Sequence, residues 1–99
     1  MSAYLIFSFD IADKEQFAPY AQAVMPILLK HQAEILAVDP GAQELEGVQR
    51  EVNVIISFPT EEGALAFYHD PEYAPWKRLR MRSTSNSTAV LVKELAHSV

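Results

Sequence analysis

Residues 3–10 read Ala3-Tyr4-Leu5-Ile6-Phe7-Ser8-Phe9-Asp10, an apolar run without glycine or proline. Aromatic and β-branched side chains at this density mark a strand. Successive strand side chains point to opposite faces. Leu5, Phe7 and Phe9 therefore form one wholly apolar face, while Tyr4 and Ile6 share the other with Ser8 and Asp10. The first face needs a full cover of helices. The second is mixed, and it recurs along the chain.

Working outward, Asp13 is placed to cap a helix, with Gln16 as its capping-box partner. Phe17, Tyr20, Ala21, Val24, Ile27 and Leu28 then recur at helical spacing. Pro19 and Pro26 each remove a backbone donor, so this helix is expected to kink or split, near Pro26. Residues 34–38 predict a second strand, ended by the turn signal Asp39-Pro40-Gly41. A third strand is predicted over 50–58. Thr60 then caps a helix reaching Tyr68, with Glu61 and Glu62 at its positive end. Asp70-Pro71 predicts a further helical start that runs to Arg82. The polar run 83–88 reads as a solvated connector before a last strand over 88–94.

The order is β-α-β-β-α-β with the second helical region divided. This is the ferredoxin-like pattern of an α+β domain: a four-stranded antiparallel sheet with its helices on one face. A parallel sheet is the weaker reading, because the link from the second to the third strand is too short for a crossover helix. The 99 residues make a single domain.

The third strand repeats the asymmetry of the first. Val52, Val54, Ile56 and Phe58 face one way, and Asn53, Ile55 and Ser57 the other. In the last strand Val90 and Val92 oppose Ala89 and Leu91. The mixed face thus collects Tyr4, Ile6, Ile55, Val90 and Val92, an apolar patch larger than monomers normally expose. A second copy packed sheet to sheet covers it, and a two-fold dimer is the commonest closed arrangement. These five residues are the expected interface.

The totals narrow the function classes. The hydrophobic fraction is 49% and the net charge −5. An acidic chain gains nothing electrostatically from a phosphate backbone, so nucleic acid is not an expected partner. Cysteine is absent, which removes thiolate chemistry and cysteine metal sites. No window approaches the roughly 20 apolar residues of a membrane span. The opening segment has no basic n-region, so a cytoplasmic location is expected. His31, His69 and His97 are too scattered for a metal motif. No glycine-rich loop or nucleophile elbow occurs.

The opening Ala3-Tyr4 strand, the Asp13 helix start with Phe17, Tyr20 and Pro26, and Leu45-Glu46-Gly47 resemble a known family. So do Phe58-Pro59-Thr60, the stretch Ala64 to Tyr68, and Asp70-Pro71-Glu72-Tyr73 leading to Arg80. The family is domain of unknown function 1330. The resemblance spans nearly the whole chain and implies a dimeric α+β barrel, in which two ferredoxin-like subunits pack sheet to sheet. It implies no cofactor and no catalytic residues. The sequence departs from the pattern at His31-Gln32-Ala33, which stands in place of a glycine-rich turn. Dimeric α+β barrels include cofactor-free monooxygenases, isomerases, haem-degrading enzymes and non-catalytic binding proteins, and the fold does not choose among them.

Arg80 is the residue with the most chemical interest. Tyr73, Trp76 and Arg80 stand at i, i+3 and i+7 and share a helix face with Leu79 beside it. Arg80 is thus directed inward, while Arg78 and Arg82 face solvent. An inward arginine beside aromatic rings can hold a carboxylate or enolate. Alternatively it pairs with an internal acid such as Glu46. Tyr20, Phe67, Tyr68, Tyr73 and Trp76 either line a small pocket between helices and sheet or simply fill the core. Two functions follow. One is a small-molecule pocket for an anionic or aromatic compound, oxygenase- or isomerase-like and without cofactor if it is an enzyme. The other is a non-catalytic interaction module with a filled interior and a partner surface around Lys77, Arg78 and Arg82.

Overall fold

The computed structural model describes residues 1–95, so His97 lies outside the described residues. The elements are β1 (Ala3–Ile11), α1 (Lys14–Phe17), α2 (Tyr20–Lys30), β2 (Glu34–Asp39), β3 (Val52–Phe58), α3 (Glu61–Tyr68), α4 (Ala74–Ser83) and β4 (Thr84–Lys93). The strands form one four-stranded sheet in the order β2-β3-β1-β4, antiparallel throughout. The fold is ferredoxin-like α+β.

The period-2 pattern accounts for the layers. Leu5, Phe7, Phe9, Val52, Ile56 and Phe58 are buried on the inner sheet face. Val24, Ile27, Leu28, Ala64, Phe67 and Tyr73 meet them from the helices. Among the described residues no helix covers the outer face. Register places Ile6 between Ile55 and Val90, and Tyr4 between Ser57 and Val92. The apolar side chains are thus contiguous across three strands. Ile55, Val90 and Val92 are 36%, 49% and 43% exposed, and Tyr4 and Ile6 are half-buried. Ser8 donates to the Asn53 side-chain oxygen at 2.9 Å, and the Asn53 amide donates to the Arg50 carbonyl, which satisfies the polar end of that face.

Both caps form where expected, but the Asp13 N–H donates to the Ser83 carbonyl and not to the Gln16 side chain, so the capping box is only half made. The Asp13 carboxylate accepts from the Gln16 backbone at 3.0 Å, and the Thr60 hydroxyl accepts from the Gly63 backbone at 2.9 Å. The turn His31-Gln32-Ala33 needs a left-handed residue, and Gln32 takes that conformation at φ 59. It closes α2 as a glycine usually does.

Four expectations are corrected. The first helix divides at Ala18-Pro19, and Pro26 lies inside the continuous α2. Pro26 deprives only the Gln22 carbonyl of its partner, and both residues are exposed, which leaves that carbonyl open to solvent. The third strand starts at Val52, because Arg50 and Glu51 turn aside to Asp10. Asp10 accepts from the Arg50 guanidinium at 3.1 Å and from the Glu51 backbone at 2.7 Å. The last helix begins at Ala74, because the Asp70 carboxylate accepts from the Glu72 backbone at 2.8 Å and builds a turn before the helix. The run 83–88 is no connector: Ser83 ends α4 and the rest is the first half of β4.

Each edge strand carries an extra residue. In β2 the register passes from Ile35↔Ile56 to Ala37↔Ile55, so Leu36 is unpaired. In β4, Ser85 faces Asp10 and Thr88 faces Ser8, so Asn86 and Ser87 together oppose Phe9. Asn86 adopts φ 54, the left-handed conformation that such a bulge requires and asparagine tolerates.

Candidate functional site

An apolar cavity of about 380 Å³ lies between α2 and the inner sheet face. Phe7, Phe9, Val52, Val54 and Ile56 form its floor. Tyr20, Val24 and Leu28 of α2 form its roof, with Phe17 from α1 at one end. Met25, Ile35 and Val38 line it and are also exposed, so the cavity opens between α2 and the β2 edge. The aromatic rings form a continuous set. Phe17 stacks on Tyr20 at 5.3 Å and tilts against Phe9 at 5.4 Å.

Among the described residues Arg80 is the only charged side chain in the lining. It is 2% exposed. Its guanidinium sits 5.0 Å over the Phe7 ring, and its Nη1 donates to the Ser87 hydroxyl at 2.8 Å. Among the described residues its Nε and Nη2 make no hydrogen bond of good geometry and are closed to solvent, and the Tyr73 and Tyr20 hydroxyls are the acceptors beside the guanidinium. Burial opposes its charge, but the surrounding oxygens of Tyr73, Tyr20 and Tyr68 outweigh this and hold its pKa above the ordinary value. It is a buried cation held among tyrosine hydroxyls. A buried charge lacking partners is costly.

The tyrosines beside it form a pair. The Tyr20 and Tyr73 hydroxyls are 2.6 Å apart. Burial first, then Tyr73, pushes the Tyr20 hydroxyl well above the usual phenol range. Tyr20 therefore stays protonated and offers a hydrogen bond rather than a base. Tyr73 is fully buried and packs on Phe67 at 4.5 Å.

A second, polar cavity of about 420 Å³ lies on the other side of Arg80, toward β4. Tyr68, Thr84, Asn86 and Ser87 line it together with Arg80. Thus Arg80 lines both cavities and Tyr20 the apolar one, while Tyr73 reaches the apolar cavity through the Tyr20 hydroxyl. Trp76 is half-buried against the core and lines neither cavity. Glu46 is exposed on the β2–β3 connection. No ion pair joins it to Arg80 among the described residues. The expected pairing partner is simply too far out on the surface.

Two features lie outside the sequence expectations. Ser87 stands two residues before Ala89 on the same face of β4, so period two alone directs it toward Arg80, and reading 83–88 as a connector hid it. The other is a clamp. His31 Nε2 and Lys30 Nζ each lie 2.7 Å from the same oxygen of the buried Asp70, and Lys30 also pairs with Glu72. This ties the end of α2 to the turn before α4. Lys30 first, then His31 and the Glu72 N–H, hold the Asp70 carboxyl far below the usual carboxylate range. Among the described residues, no group of three or more His, Asp or Glu side chains is placed to hold a metal ion. No described helix is long and apolar enough to cross a membrane.

Several solved structures share this fold. The chain superposes on the RPA0582 protein of unknown function from Rhodopseudomonas palustris with a TM-score of 0.80, at 15% identity, over 96% of this chain and 83% of that one. It matches a dimeric ferredoxin-like protein of unknown function from Bacteroides fragilis with a TM-score of 0.63, at 12% identity, over 94% and 96% of the two chains. It matches SnoaB, a cofactor-independent oxygenase from Streptomyces nogalater, with a TM-score of 0.65, at 10% identity, over 96% and 94%. At these identities the likeness establishes the fold alone. No protein of curated function matches the sequence. The family model described as Domain of unknown function (DUF1330) matches residues 2–95, and the chain belongs to that family.

Proposed function

We propose that this protein takes a small organic anion into the apolar cavity, with Arg80 as the anion's anchor, and that it works as a homodimer joined through the open sheet face. The single observation behind the ligand is Arg80 itself: a buried guanidinium in the wall of an apolar cavity whose Nε and Nη2 make no well-formed hydrogen bond. Those two nitrogens are closed off in the unliganded protein and become the parallel pair of donors that a carboxylate or enolate accepts when the side chain shifts. Phe7, Phe9 and Phe17 offer aromatic surface to the ligand's apolar body. An interaction module with a filled interior does not call for this cavity. Support for the dimer comes from the contiguous patch of Ile6, Ile55, Val90 and Val92. The Bacteroides fragilis neighbour is described as dimeric.

The test is calorimetry and thermal shift with phenylpropionate against uncharged phenylpropanol. The acid should bind and raise the melting temperature, since a ligand selective for the native state at 100 times its Kd adds about 2.7 kcal/mol. The alcohol should bind at least tenfold more weakly, and Arg80→Gln should remove the difference. Equal binding of acid and alcohol, or an undiminished preference in Arg80→Gln, would sink the reading.

A further inference from the structure

The apolar cavity has an open side, and one stretch of chain both leaves and rejoins the sheet at its wall. The mouth lies between α2 and the β2 edge, where Met25, Ile35 and Val38 are exposed. The β2–β3 connection leaves β2 one residue after Val38 and enters β3 at Val52. Both of those residues line the cavity. The connection also carries Leu45 and Val48, which are 84% and 79% exposed, the highest values of the large apolar side chains among the described residues.

The two side chains belong to one bend. The Glu44 carboxylate accepts from the Gln49 backbone at 3.1 Å across it, and Gly47 supplies its left-handed residue at φ 75. The roots of the connection are fixed: Asp39 accepts from the Gly41 N–H at 2.9 Å, and Arg50 and Glu51 bind Asp10. Between them, among the described residues, no hydrogen bond ties 42–49 to any other element. Backbone so exposed and so lightly held moves at low free-energy cost. Six residues separate Asp39 from Leu45. At about 3.3–3.6 Å per extended residue, Leu45 reaches roughly 20 Å from its root, more than the roughly 10–12 Å diameter of the helix across the mouth.

We infer that residues 40–49 form a lid on the apolar cavity and that Leu45 and Val48 are contact residues of that site. They swing onto Met25, Ile35 and Val38 and seal the apolar body of the ligand from water. Lid and mouth are both apolar, so closure removes both from solvent. A filled cavity gives the lid atoms to pack on, whereas closure over a void forfeits those contacts. The lid deepens the small-molecule reading and rests on the cavity being filled, not on how Arg80 is engaged.

The chain has no cysteine, so an introduced pair reacts only with itself. In the double variant Met25→Cys with Leu45→Cys, mild oxidation should give a disulfide within one chain, about tenfold faster with saturating 2-naphthoate than without it. A disulfide needs its Cα atoms within about 7 Å, so its formation reports closure. Both positions are exposed, and neither substitution threatens the core. In stopped-flow fluorescence, 2-naphthoate should leave Leu45→Ser about tenfold faster than the wild type. A disulfide rate indifferent to 2-naphthoate, an unchanged dissociation rate in Leu45→Ser, or a disulfide joining two chains on a non-reducing gel overturns the lid. Binding of 2-naphthoate to the wild type in those cases leaves the cavity reading standing. If 2-naphthoate does not bind at all, the cavity reading fails and the lid falls with it.

Discussion

The two faces of the sheet are made from the same strands and obey different rules. On the inner face of β1 and β3 the alternating side chains are all apolar, and helices bury them. On the outer face apolar side chains are mixed with Ser8, Asn53 and Ser57 and remain open. The inner face stabilises the subunit by removing area from water, at about 25 cal/mol per Å². The outer face contributes little to a lone subunit. What it gains, it gains when a second surface arrives. One residue step along β1 separates the two regimes.

Neighbouring positions on β1 break or sharpen that contrast. Leu5→Ala, on the inner face, should cost about 2–5 kcal/mol in urea unfolding at any protein concentration. Ile6→Glu, on the outer face, should leave the subunit folded and instead halve the mass. Light scattering should report about twice 11.1 kDa for the wild type and 11.1 kDa for the variant. If Ile6→Glu leaves the mass unchanged, the outer face is no interface.

A smaller effect tests whether the helices are fixed over the inner face by charge as well as by packing. Asp70 accepts from both Lys30 and His31, and its folded pKa lies below its unfolded value. Its stabilisation is therefore fully present above the unfolded carboxylate pKa of about 3.9 and is lost as pH falls below it, because the unfolded chain binds the proton first. Asp70→Asn should lower the melting temperature at pH 7, and the gap to wild type should close as the pH drops from about 4. A gap that stays constant with pH would mean that the clamp acts by shape alone. The smallest effect is expected at the start of α3. Thr60→Ala removes the acceptor for the Gly63 N–H and should cost about 1 kcal/mol, uniformly and without change in mass.

The inner face was legible in the sequence because a period of two over Leu5, Phe7 and Phe9 has one physical solution. The caps at Asp13 and Thr60 were legible because their partners lie three residues away. The break at Pro19 rather than Pro26 was not. The cost of a proline depends on whether the deprived carbonyl can reach water, and that is set by the tertiary fold. Arg80 was directed inward by its spacing from Tyr73, but its neighbours were not predictable. Glu46 was an acid of the right charge in the wrong place. Ser87 shares the face of Ala89 and Leu91, but it lay in a run of hydroxyls read as a connector, where no strand face is assigned. The Asp70–His31 contact joins residues 39 apart, with no local signal at either end.

The unpaired Leu36 in β2 and the two-residue bulge in β4 have a consequence for how copies of this chain can meet. Both lie on the outermost strands, where a free ladder of N–H and C=O groups would otherwise accept a fifth strand from another molecule. A bulge twists that ladder and takes groups out of register, so a straight incoming strand finds no run of partners. Growth of the sheet sideways into a continuous ribbon, and onward into a fibre, is discouraged at both ends. Association is left to side chains meeting broadside, a contact that closes after one step instead of repeating without limit.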